Sequence, residues 1–170
     1  MPDHRLTFVL GGARSGKSRH AEELISRHQS PWTYIATAQA HDDEMRLRIS
    51  EHRARRDGRW VTLDAPFDLA GAVAALPDGV PALIDCLTLW LSNRMLDGGD
   101  PERGVAELID ALSVRRGPCF VVSNEVGLGI VPDNALARRF RDEQGRLNQR
   151  VAAIADEVVF MVAGLPMKVK

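Results

Sequence analysis

Residues Gly11-Gly12-Ala13-Arg14-Ser15-Gly16-Lys17-Ser18 fit the pattern G-x-x-x-x-G-K-[ST]. Glycines in such a loop let the backbone wrap a phosphate with its N–H groups, and the start of a following helix adds a favourable dipole. Lys17 would then reach the β- and γ-phosphates, and the Ser18 hydroxyl would ligate magnesium. A chance glycine turn is the competing explanation, and two observations weigh against it. The motif lies between an apolar run and a helical pattern, which is the context it requires. Lys17 is also one of only three lysines beside 19 arginines, the other two being Lys168 and Lys170. The expected ligand is a nucleoside triphosphate with magnesium. The loop alone does not separate a kinase from a motor or a switch.

A magnesium-side carboxylate is expected at the end of another buried strand, and Asp85 after Leu83-Ile84 supplies one. A strand-end aspartate can equally be a plain cap or turn former. His52 shares a helical face with Met45, Ile49 and Arg56. On such a stripe it is either a histidine completing a core face or a neutral nucleophile toward phosphorus. Arg53, Arg55, Arg56 and Arg59 fall within seven residues. That density suits phosphate oxygens, and also suits a solvated face or compensation of a helix C-terminus. Thr37-Ala38-Gln39 follow a strand at the edge where parallel sheets bind ligands, although polar residues there are often turn formers. Asn124-Glu125-Val126-Gly127 occupy an equivalent position, while Arg138, Arg139, Arg141, Arg146 and Arg150 read as a solvated face.

To position these residues the chain needs strands that end where they begin. Apolar runs predict strands over residues 6–10, 32–36, 60–63, 80–84 and 118–123, with closing strands over 157–163 and 167–170. Between them, amphipathic patterns predict helices over 17–28, 42–56, 67–76, 87–96, a stretch opened by Asp100-Pro101-Glu102, and 133–155. Asp42 or Asp43 can cap the second helix, with acids in its first turn and arginines in its last. Alternating strands and helices indicate an α/β fold with a mainly parallel sheet and helices on both faces. Gly164-Leu165-Pro166 is too short for a crossover, so the last two strands should form an antiparallel hairpin.

The 170 residues suit one domain, residues 1–170. Twenty-two basic and 23 acidic residues leave a net charge of −1, which argues against a basic nucleic-acid glove or a polybasic membrane binder. With only nine aromatic residues, base stacking is also poorly supplied, so affinity for DNA or RNA is expected to be negligible at physiological salt. Sub-micromolar binding with a steep salt slope would contradict this. Cys86 and Cys119 can build neither a disulfide framework nor a Cys-rich zinc site. No run approaches the roughly 20 apolar residues of a membrane span, and the N-terminus does not read as a signal peptide. A reducing cytoplasm is the expected compartment.

The blocks GGARSGKSRHAE, YIATAQ, DDEMRLRISEHRARR and NEVGLGIVPDNALARRFRDEQGRLNQRVA together resemble the bifunctional adenosylcobinamide kinase / adenosylcobinamide-phosphate guanylyltransferase family. The resemblance runs from the first strand to the C-terminal Lys-Val-Lys. It implies a RecA-like P-loop NTPase fold. It also implies phosphorylation of the aminopropanol hydroxyl of adenosylcobinamide with ATP or GTP, followed by GMP transfer from GTP to give adenosylcobinamide-GDP. The family's covalent GMP carrier falls on His52. Its nucleotide contacts fall on the phosphate loop, on Thr37, Ala38 and Gln39, on Arg53, Ala54, Arg55 and Arg56, and on Asp64 and Asp85. A homotrimer is implied as well. The alternatives are a simple P-loop small-molecule kinase, in which His52 would be structural, a RecA-like nucleic-acid ATPase, and a switch-type GTP-binding module. The last lacks the base-reading Asn/Thr-Lys-x-Asp signature, since no internal lysine remains beyond Lys17.

Overall fold

Runs such as Phe8-Val9, Leu83-Ile84 and Val121-Val122 are apolar at successive positions, so each strand must bury both of its faces. The computed structural model, which describes residues 5–170, gives every one of these runs a cover on both sides. The elements are β1 (Leu6–Gly11), α1 (Lys17–Ile25), β2 (Trp32–Ala36), α2 (Asp43–Ala54), β3 (Trp60–Asp64), α3 (Leu69–Ala74) and β4 (Ala82–Asp85). They continue with α4 (Leu87–Leu96), α5 (Pro101–Val114), β5 (Cys119–Asn124), α6 (Ala135–Ile154), β6 (Glu157–Val162) and β7 (Leu165–Lys168).

One seven-stranded sheet holds them in the order β3-β2-β4-β5-β1-β6-β7. All neighbours are parallel except the β6–β7 pair. On one face Phe8, Ile35, Ile84 and Val121 pack with Leu69, Trp90, Leu108 and Leu147 from the helices α3 to α6. On the other, Val9, Leu83, Val122 and Val159 pack with Ala21 and Ile25 of α1. The period-two alternation of each strand is thus divided between two cores.

The differences from the sequence pattern lie at element ends. Helix α1 stops at Ile25 rather than His28. Helix α2 starts after Asp42, whose side chain accepts from Met45 N at 2.7 Å, and ends at Ala54 rather than Arg56. Helix α3 is shorter than its pattern because Asp68, with its carboxylate on Gly71 N at 2.9 Å, is a cap and not a helical residue. The closing hairpin turns at Ala163-Gly164, both at positive φ (51° and 80°), so Leu165 pairs with Val162 and Pro166 with Met161. Pro166 reads as a turn residue, but β7 is an edge strand, where a proline's missing N–H is tolerated.

Helix α2 is the exception to this packing. Met45, Ile49 and His52 of α2, with Arg56 just beyond its end, are half-buried as the spacing predicts, yet none of the helix's residues is buried. The stripe therefore completes no core.

Candidate active site

The parallel strands β1 to β5 all end on one edge, at Gly11, Ala36, Asp64, Asp85 and Asn124. Register places Gly11 beside Asn124, and puts Asp64 and Asp85 on either side of Ala36. Ligands of parallel α/β sheets bind at this carboxyl edge.

The phosphate loop closes tightly after β1. A Cβ at Gly11 would lie 2.6 Å from Ser15 Oγ and 2.9 Å from the Met161 carbonyl oxygen, so only glycine fits. Gly16 opens α1 in the left-handed region, at φ 93°. Lys17 is buried and folds back to donate to the Gly12 carbonyl. Burial lowers its pKa, and the nearby Asp85 partly restores it. Ser15 Oγ is buried without a partner among the described residues, Ser18 is half-buried, and Ala13 and Arg14 form the exposed tip. Two backbone contacts brace the loop from behind: Glu125 N donates to Gly11 O and Gly164 N to Ser15 O, both at 2.9 Å.

Asp85 stands across from this loop, its Oδ2 accepting the Tyr34 hydroxyl at 2.9 Å. Thr37 is fully buried, and its Oγ1 donates to Cys86 O at 2.7 Å while accepting from Cys86 N at 2.8 Å. Asn93 Nδ2 donates to the Thr37 carbonyl at 2.8 Å. The Thr37 hydroxyl thus ties β2 to β4 directly beside Asp85, and half-buried Ala38 and Gln39 follow it along the edge. Thr37→Val is expected to cost about 1–3 kcal/mol, because Cys86 N loses its partner in a buried position. Thr37→Ser should recover most of that loss, with chemical denaturation as the measurement.

His52 lies on the last turn of α2. Arg55 Nη2 lies 3.0 Å from His52 Nδ1, and a guanidinium only donates, so Nδ1 accepts and the neutral ring carries its proton on Nε2. Burial is the main cause lowering the His52 pKa, with Arg55, Arg56 and Arg48 lowering it further against Asp85. The imidazole is therefore neutral near pH 7. Arg55 also reaches Glu22 of α1 at 3.4 Å, and burial raises the Glu22 pKa. Arg56 donates to the His52 carbonyl at 3.0 Å and lies over the Tyr34 ring, 3.7 Å from its centroid. Among the described residues Arg56 Nε is buried without an acceptor, leaving a donor available for an anion. Arg53 approaches Asp64 only at 3.5 Å, with both side chains exposed. Ala54 is exposed.

The structure thus gathers Lys17, Asp85, His52, Arg55 and Arg56 around one point, with Asp85 acting electrostatically on Lys17, His52, Glu22 and Tyr34. Asp64 and Arg53 stand at its rim. Glu22 ends the block GGARSGKSRHAE and Tyr34 opens YIATAQ, but sequence reasoning assigns neither a role of its own. A cleft of about 420 Å³ opens beside the site between Arg19, Glu22, Arg55, Arg56, Trp32 and Trp60. Among the described residues no three His, Cys, Asp or Glu side chains form a metal cluster. No helix among them is long and apolar enough to cross a membrane.

The sequence profile described as "Cobinamide kinase / cobinamide phosphate guanyltransferase" matches residues 7–169. The chain belongs to that family. Among its family relatives, a bifunctional adenosylcobalamin biosynthesis protein of Pseudomonas aeruginosa is 49% identical over 167 residues, 96% of each chain. Another of the same description, from Salmonella typhimurium, is 44% identical over 183 residues, covering 97% of this chain and 99% of the relative. Similarity to solved structures reaches beyond this cobinamide kinase / guanyltransferase family at the level of fold alone. A type III secretion system ATPase of pathogenic bacteria superposes with a TM-score of 0.57 at 11% identity, over 97% of this chain and 57% of the other. A Pyrococcus horikoshii protein does so with the same score at 9% identity, over 100% and 88%. The chain thus has a RecA-like P-loop NTPase fold, a mainly parallel seven-stranded sheet with helices on both faces.

Proposed function

We propose that the chain phosphorylates adenosylcobinamide with ATP or GTP and then transfers GMP from GTP to the product, through His52, in adenosylcobalamin biosynthesis. The observation that carries this reading is a neutral histidine on an arginine-rich helix, held beside Asp85 and a lysine-bearing phosphate loop. A kinase alone needs the loop and the aspartate and has no use for the histidine.

In the first reaction the loop amides and Lys17 hold the β- and γ-phosphates, and the acceptor hydroxyl oxygen displaces the nucleoside diphosphate at the γ-phosphorus. Ser18 and Asp85 offer hydroxyl and carboxylate oxygens, a hard donor pair suited to magnesium, and among the described residues Asp85 Oδ1 accepts no side-chain hydrogen bond. Bound magnesium would neutralise charge on the phosphates held by the loop. In the second reaction a His52 nitrogen forms a bond to the α-phosphorus of GTP as the bond to pyrophosphate breaks. A phosphate oxygen of adenosylcobinamide phosphate then displaces the histidine, which still carries its Nε2 proton and so leaves as neutral imidazole. In the ring as placed, the free lone pair is at Nδ1 and is occupied by Arg55. A guanidinium that moves from Nδ1 to a phosphate oxygen releases this nucleophile and neutralises the electrophile in one motion.

GTP labelled at the α-phosphate should leave acid-labile label on the protein, whereas label at the γ-phosphate should pass to the corrinoid in the first reaction and to pyrophosphate in the second, and never to the protein. Absence of protein-bound label would reduce the reading to a simple kinase. The pH dependence has a defined sign. Burial and arginines lower the His52 pKa below 6.5, so the unprotonated nucleophile persists as pH falls. The labelling rate should therefore stay level from about pH 8 down through 6.5 and decline only below it, and Arg55→Gln should move that decline upward. The family resemblance extends the proposal to a cytoplasmic homotrimer, which light scattering on the purified protein checks.

A further inference from the structure

We infer that Tyr34 is a positioning residue that ties the aspartate arm of the site to its arginine arm, its hydroxyl fixing Asp85 and its ring seating Arg56. This rests on the reading of Asp85 and Arg56 as phosphate-side residues. Tyr34 lies on β2 two residues before Ala36, whose register partner on β4 is Asp85. Alternation puts Tyr34, Leu83 and Asp85 on the same face of the sheet, so the phenol points along that face to Oδ2 of Asp85 at 2.9 Å. The ring is 5% exposed and held edge-on by Trp60 at 6.1 Å, so it has little freedom to move. Burial and the facing carboxylate push its pKa well up, which keeps the hydroxyl a donor at every working pH.

The other arm rests on the ring face. Arg56 stacks 3.7 Å above it and, from that seat, donates to the carbonyl of His52. Because no residue of α2 is buried, the helix end carrying His52 is fixed by this stacked guanidinium and by the Arg55–Glu22 pair rather than by a core. Tyr34 thereby sets the relative placement of a carboxylate and a guanidinium that come from distant parts of the chain. A tyrosine acting only as core filler would have no use for its hydroxyl, and phenylalanine would replace it.

Two variants separate the arms. Tyr34→Phe keeps the ring and the seat of Arg56 and loses the bond to Asp85. Label transfer from α-labelled GTP to the protein should then fall about tenfold or more in kcat, with the dissociation constant for GTP, measured by calorimetry in EDTA, within about twofold of wild type. Tyr34→Leu loses both arms, and should raise the GTP dissociation constant roughly three- to tenfold in addition. Arg56→Gln should weaken GTP to the same extent, and combining it with Tyr34→Leu should weaken GTP no further. A wild-type kcat in Tyr34→Phe overturns the hydroxyl arm, and equal GTP affinity in Tyr34→Phe and Tyr34→Leu overturns the ring arm. Should Tyr34→Leu fail to fold by circular dichroism, the Tyr34→Phe kcat decides the hydroxyl and its GTP affinity against that of Arg56→Gln decides the ring. Wild-type protein that takes no label would count against the covalent reading instead, while the calorimetric comparison would still decide the role of the ring.

Discussion

Protein-bound GMP is expected to disappear in His52→Asn and His52→Ala, by at least about 10³-fold in the labelling rate, since removing a nucleophile leaves only binding and electrostatic contributions. The substitution should cost the fold little, because α2 buries none of its residues. Phosphorylation of adenosylcobinamide should survive in part, as the proposed mechanism assigns that reaction to the phosphate loop and Asp85. Pyrophosphate leaving before the corrinoid phosphate attacks also requires a ping-pong pattern in initial rates for the guanylyl transfer. Label retained in the His52 variants, or mapped by peptide sequencing to His20, His28 or His41, would defeat the assignment.

Lys17→Ala should abolish both half-reactions, by roughly 10²–10³ in rate or about 3–4 kcal/mol of transition-state stabilisation. Among the described residues its ammonium donates only to the carbonyl of half-buried Gly12, which water can replace. Its ammonium is held at a cost, as the lowered pKa indicates. The thermal midpoint is therefore expected to change little while turnover collapses. Undiminished turnover with either triphosphate would make the glycine loop a structural turn.

Strand positions and the parallel sheet were legible because doubly buried strands read as short apolar runs. The phosphate loop was legible because its chemistry is local, with eight consecutive residues supplying the whole cradle. The environment of His52 was only half legible. Periodicity says that Met45, Ile49, His52 and Arg56 share a face, but not whether anything covers it. The roles of Tyr34 and Glu22, which lie in the blocks YIATAQ and GGARSGKSRHAE, were illegible for a different reason. Their partners Asp85 and Arg55 lie 51 and 33 residues away, and nothing in either local pattern marks such a pair. Thr37 could be placed at the ligand edge, whereas the commitment of its hydroxyl to Cys86, 49 residues on, belongs to the tertiary fold. Pro166 misled because sequence alone does not tell a turn from an edge strand, where proline is also at home.

The place of β1 in the sheet bears on how the protein is made. Its neighbours are β5 on one side and β6 on the other. During synthesis the phosphate loop emerges early on a strand that has nothing to pair with until residues 119–124 follow, and its second neighbour arrives only with residues 157–162. The Gly164 amide that holds Ser15 comes later still. Loop closures of this span slow folding and leave β1 uncovered on a growing chain. A ribosome-bound chain arrested before residue 157 should accordingly retain no triphosphate, and the ability to hold nucleotide should arise late in translation, after most of the polypeptide has left the exit tunnel.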